Sequence, residues 1–153
     1  MKLSGKTFVV AGGASGLGAG VVRYLRRLHD ARVLVLDSNA QAGAALADEL
    51  NAAPGVTAAP VLFAATDIAE EDQVAEAVAR GRRHFGALHA CFNFAGIVSP
   101  LRILDREGQA GSGERFRRTL MVNLAGTFHV MAHCVAAMRD NLPDEDGERG
   151  VVV

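Results

Sequence analysis

Tryptophan is absent from this chain of 153 residues, tyrosine occurs once, and lysine and cysteine occur twice each. The two cysteines, Cys91 and Cys134, cannot form a disulfide framework. Each lies in an apolar run, so both read as buried free thiols in a reducing compartment. An excess of one charge is also missing: the formal net charge is −1. That removes the electrostatic case for nucleic acid or an anionic membrane surface as partner. Met1-Lys2-Leu3-Ser4-Gly5-Lys6 contains no long apolar segment, so no secretory signal is expected and the cytoplasm is the default location. No apolar stretch reads as long and unbroken enough to span a bilayer. Half of the residues are hydrophobic, which excludes a disordered or fibrous chain. The length suits one domain with a real core.

What is present is a glycine-rich turn. Ala11-Gly12-Gly13-Ala14-Ser15-Gly16-Leu17-Gly18 follows the apolar run Thr7-Phe8-Val9-Val10. A β-rich run that ends in glycines and opens into a helix leaves no Cβ between the helix N-terminus and a pyrophosphate. The free N–H groups and partial positive charge of that terminus then face the phosphates. The spacing Gly12-x-x-x-Gly16-x-Gly18 differs from G-x-G-x-x-G. Glycines also serve ordinary helix–strand packing, so the context carries the reading.

That context is an alternation of apolar β-branched runs with helix-period segments. Strands are expected at Thr7–Ala11, 32–36, Val61–Ala65, 89–94 and, just beginning, 151–153. Helices are expected at 17–28, 40–50, 70–84 and, as one long element, 114–139. A turn cluster falls at 51–55, and polar, glycine-bearing loops expected to be mobile fall at 105–113 and 141–150. Strands that are apolar throughout are buried on both faces, which implies a parallel sheet covered by helices. The order is that of an α/β, doubly wound, Rossmann-type sheet, one domain over residues 1–153, expected to be cut off at the start of its fifth strand.

Asp37 closes the second strand. A carboxylate there accepts hydrogen bonds from adenosine ribose hydroxyls and repels a 2′-phosphate. No Arg or Lys stands among Ala14, Ser15, Ser38 and Asn39, so the expected cofactor is NAD rather than NADP. The plainer reading of Asp37 is a helix cap. Asp67-Ile68 follows the third strand: the carboxylate can accept from an adenine amino group while Ile68 packs on the ring, and Asp67 can also cap the next helix, two roles that can coexist. Asn93-Phe94-Ala95-Gly96 follows the fourth strand, where Ala95 and Gly96 admit a ligand close to the backbone. Asn123 lies amid apolar residues, where an amide needs partners. It is either a surface or self-satisfied residue or a fixed polar post. His129 and His133 share a helix face, but no third ligand is evident and no metal is expected.

Taken in order, Ala11–Gly18, Asp37, Asp67-Ile68, Asn93–Gly96 and Asn123 resemble the cofactor half of the short-chain dehydrogenases/reductases. The resemblance covers essentially the whole chain. It implies NAD-dependent interconversion of a secondary alcohol, such as a 3-hydroxyacyl thioester, and a ketone. It also implies a small-molecule substrate and a homo-oligomer, dimer or tetramer. By the same resemblance, Gly12, Ser15, Gly16, Leu17 and Gly18 line the pyrophosphate and nicotinamide side. Asp37 holds the adenosine ribose, and Asp67 and Ile68 hold the adenine. Phe94, Ala95 and Gly96 pass along the cofactor, and Asn123 supports a proton-relay water. The family's catalytic Ser and Tyr-x-x-x-Lys have no counterpart here: the tyrosine is Tyr24 and the lysines are Lys2 and Lys6. An inactive N-terminal piece of a longer enzyme is therefore expected. A non-catalytic NAD-binding module, or a reductase of acyl-carrier, steroid or sugar substrates, is the alternative. Two departures stand out: Ala11 replaces the usual Thr, and Phe94 replaces the commoner Asn or Cys.

Overall fold

Five strands form the centre of the protein: β1 (Thr7–Ala11), β2 (Arg32–Asp37), β3 (Val61–Ala65), β4 (Ala90–Asn93) and β5 (Val151–Val152). The computed structural model describes residues 3–53, 55 and 60–153. All the strand pairs are parallel, in the order β3-β2-β1-β4-β5. Alternate side chains of the same strands feed two cores. Val9, Ala11, Leu34 and Leu36 meet one layer, and Phe8, Val10, Val33 and Val35 meet the other. Burial on both faces is why these strands read as unbroken apolar runs. The chain ladder continues past β5: Val153 N–H donates to the Cys91 carbonyl at 2.9 Å, and Asn93 N–H to the Val153 carbonyl at 3.0 Å.

Helices α1 (Gly16–His29) and α2 (Ala40–Asn51) cover the face of Phe8 and Val10. Helix α3 (Glu71–Phe85) and a long helix cover the other. The long helix runs over Gly113–Met138 as α4 (Gly113–Leu120), a wide π turn (Met121–Gly126) and α5 (Thr127–Met138). Its buried residues Val122, Gly126, Val130, Cys134 and Met138 recur every fourth position. An α-helix turns past a full circle in four residues, so such a stripe drifts; the wider π turn reduces the drift. Gly126 is needed there because a Cβ would lie 2.7 Å from Ile68 Cγ1.

Several expectations change. By length and composition, Gly113–Met138 is long and apolar enough to cross a membrane, contrary to the sequence reading. Here one face of it packs on α3 and the sheet, while Phe116, Leu120, Leu124, Phe128, Met131 and Val135 stay exposed. The two polar loops lie largely exposed, as surface loops do, and carry hydrogen bonds of their own. The Asp105 carboxylate accepts from Glu107 and Gln109 N–H, and the Asp144 carboxylate from Asp146 and Glu148 N–H. The Asn51 side chain pairs with both backbone groups of Val61; Pro54, in the expected turn cluster, lies outside the described residues.

Candidate functional site

The strand order reverses between β1 and β4, and the connections from β1 and β4 leave toward opposite faces. A crevice opens at the C-terminal ends of the strands at such a switch point. Here it is a cleft of about 140 Å³ lined by Gly12, Leu36, Asp37, Ser38, Thr66, Asp67, Ile68, Ala95, Gly96, Ile97, Arg118 and Val122.

The glycine turn is shaped by close backbone approach. Gly12 has φ +70°, and a Cβ on it would lie 2.5 Å from Ala95 N. A Cβ on Gly18 would lie 2.1 Å from the Gly12 carbonyl oxygen. Gly16 also has a positive φ, +52°, yet faces open space. Ser15 sits at the N-cap of α1 without a side-chain capping bond, and the first turn carries no acid. Uncapped N–H groups and an uncompensated positive dipole end are what an anion at this position needs. Ser15 and Leu17 are exposed beside it, Leu17 by 80%.

Asp37 is fixed rather than free. Its Oδ2 accepts from Ala14 N–H at 2.9 Å and its Oδ1 from Asn39 N–H at 2.9 Å. It thus ties the glycine turn to the end of β2. The helix-cap reading fails, because Asn39 caps α2 through its own side chain. Thr66 N–H donates to the Asp37 carbonyl at 2.9 Å, which brings Asp67 beside Asp37. Asp67 Oδ1 accepts from Ala69 N–H at 3.0 Å. The cap reading fails here too: α3 begins at Glu71 with Glu70 at its N-cap. Ile68 lines the cleft but is 4% exposed and packed in the core, so little of its side chain is free to cover a ring.

After β4, Ala95 and Gly96 line the cleft and Phe94 does not; Phe94 N–H donates to the Ala11 carbonyl at 2.9 Å. The Phe94 ring stacks on Phe92, which stacks on Phe8, so its bulk continues an aromatic row. Asn123, in the π turn, grips the backbone of Ile97 twice: Oδ1 accepts from Ile97 N–H and Nδ2 donates to the Ile97 carbonyl, both at 2.8 Å. It is a fixed polar post for the segment after β4. Of the helical histidines, His129 Nδ1 lies 3.0 Å from the Ile68 carbonyl and His133 Nε2 lies 3.3 Å from Glu71 Oε1. They serve separate partners. Among the described residues, the acidic side chains that converge are Asp144, Asp146 and Glu148, on an exposed loop.

Sequence reasoning missed Arg118. It lies far along the chain from the glycine turn, and only the course of α4 brings it to the cleft.

A doubly wound parallel sheet with a glycine-lined cleft at its switch point defines a Rossmann-type α/β domain. The chain matches the short chain dehydrogenase family over residues 6–153 and belongs to it. It is similar to human 3-hydroxyacyl-CoA dehydrogenase type-2, 34% identical over 152 residues, covering 99% of this chain and 55% of that protein. It is 38% identical over 157 residues to a 2,5-dichloro-2,5-cyclohexadiene-1,4-diol dehydrogenase of Sphingobium indicum, covering 99% and 54%. The crystal structure of 3-hydroxyacyl-CoA dehydrogenase type-2 from Mycobacterium avium superimposes with a TM-score of 0.83 at 31% identity, covering 99% of this chain and 57% of that one. The chain spans about half the length of the relatives it matches.

Proposed function

We propose that this chain is the cofactor-binding part of an NAD-dependent oxidoreductase that interconverts a secondary alcohol, a 3-hydroxyacyl-CoA, and the matching ketone. The observation that carries the reading is Asp37, held at the cleft by two backbone N–H groups. Each oxygen keeps a lone pair for ribose hydroxyls, and the charge opposes a 2′-phosphate. The glycine cradle also fits: Gly12 and Gly18 stand where a Cβ would collide, and Gly16 faces open space. When bound, NAD supplies the hydride acceptor.

The residues here bind and orient. Gly12, Ser15, Gly16, Leu17 and Gly18 would hold the pyrophosphate and nicotinamide side. Asp37 would hold the ribose, Asp67 the adenine amino group, and Ala95 and Gly96 the opposite wall. Asn123 positions the Ile97 segment. Among the described residues, no Tyr or Lys lines the cleft, and Tyr24, on α1, is 52% exposed. The exposed apolar stripe on the long helix supports a homo-oligomer of the whole protein. We place the protein in the cytoplasm, which fractionation tests.

The experiment is NAD reduction with a 3-hydroxyacyl-CoA, followed by NADH absorbance. The full-length protein is expected to turn over and residues 1–153 alone are not. Turnover by residues 1–153 would refute the division of labour; no turnover by the full-length protein would refute the substrate class.

A further inference from the structure

Arg118, on α4, lines the same cleft as Asp37 and Asp67. Among the described residues, its guanidinium makes no hydrogen bond and no ion pair, with either carboxylate or any other group. A cation without a side-chain partner and two carboxylates that line one cleft can be engaged by a single ligand that meets both. The rest of the lining mixes apolar residues, Leu36, Ile97 and the largely buried Ile68 and Val122, with the hydroxyls of Ser38 and Thr66.

The ligand that suits this wall must do two things together. It must donate to Asp37 and Asp67, which accept only. It must also offer the guanidinium a π face. A purine nucleoside does both: hydroxyl and amino donors at its edges, and a flat ring between them. Guanidinium planes stack well on such rings. A phosphate would satisfy Arg118 but would meet the charge of Asp37. Resting on the nucleotide reading above, we infer that Arg118 is an adenine-binding residue whose guanidinium covers the open face of the base. This also replaces Ile68, which is buried, as the main cover of the ring.

The test measures binding to the purified protein of ADP-ribose, 2′-phospho-ADP-ribose, adenosine and nicotinamide mononucleotide, for wild type and Arg118→Ala. The variant is expected to lose about three- to tenfold in affinity for both ADP-ribose and adenosine. Nicotinamide mononucleotide binding and the unfolding midpoint are expected to stay unchanged, because the Arg118 side chain has no partner among the described residues. Arg118→Lys is expected to regain part of the loss, as a cation without the planar fork. Equal affinity in wild type and Arg118→Ala overturns the assignment. So does a loss confined to the 2′-phosphorylated ligand, which would make Arg118 a phosphate contact. If the wild type binds none of the adenosine ligands, the nucleotide reading itself fails rather than the role of Arg118 alone.

Discussion

Replacing Gly12 by alanine tests whether backbone contact shapes the cleft. Gly12 combines two demands. Its φ is +70°, and the space for a Cβ is already taken by Ala95 N at 2.5 Å and Phe94 C at 2.7 Å. The left-handed conformation costs an alanine about 1–2 kcal/mol. The clash is with backbone, not the end of a flexible side chain, and overpacking of that kind costs about 1–3 kcal/mol. Gly12→Ala is therefore expected to lose about 2–5 kcal/mol, a large share of the ~5–15 kcal/mol typical of a domain. Two neighbours separate the causes. Gly16→Ala meets a φ of +52° but open space, so it should lose only the torsional part, about 1–2 kcal/mol. Gly20 is inside α1 with nothing within 4 Å of its Cβ position. Gly20→Ala should gain about 0.5–1 kcal/mol from helix propensity. Urea unfolding of the three variants measures the series. Wild-type stability for Gly12→Ala, or equal losses at Gly12 and Gly16, would refute the reasoning.

Three further predictions concern the site and its supports. Asp37→Ala should weaken NADH binding and raise the NADPH-to-NADH affinity ratio at least tenfold, read by fluorescence titration; an unchanged ratio would disprove the ribose role. Asn123→Ala removes both bonds to Ile97, so stability should fall by about 1–2 kcal/mol, and amide exchange at Ile97 should accelerate. His89 links the pH dependence to the sheet: its Nδ1 accepts from Thr7 N–H at 3.1 Å and so must be unprotonated. Burial first, then Lys6 and Arg32, hold its pKa below the ordinary value. A lowered folded pKa means that the unfolded chain binds more protons. Stability is therefore full above the ordinary histidine pKa and falls as pH drops through the folded value. Unfolding midpoints between pH 7 and 5 should decline, and His89→Gln should flatten that decline; parallel curves would contradict it.

The sheet was legible because its strands are apolar on both faces, a pattern few other arrangements produce. The glycine turn, Asp37 and the segment after β4 were legible because they sit at strand ends, where the sequence order itself places them at one edge. What was hidden depended on distant contacts. Gly126, in the π turn, packs against Ile68, far from it in the chain. The cap readings of Asp37 and Asp67 were wrong because Asn39 and Glu70, two and three residues further on, occupy the N-caps. Arg118 escaped because a search for cations near Asp37 along the sequence cannot see a residue delivered by another helix. The double grip of Asn123 on Ile97 was invisible for the same reason, although an amide amid apolar residues was a fair hint.

The most direct test of the central claim is an NADH fluorescence titration of the protein, in parallel with Asp37→Ala. The account predicts saturable binding by the wild type, competition by ADP-ribose, and marked weakening in the variant. No saturable binding, or equal binding by both proteins, would contradict it.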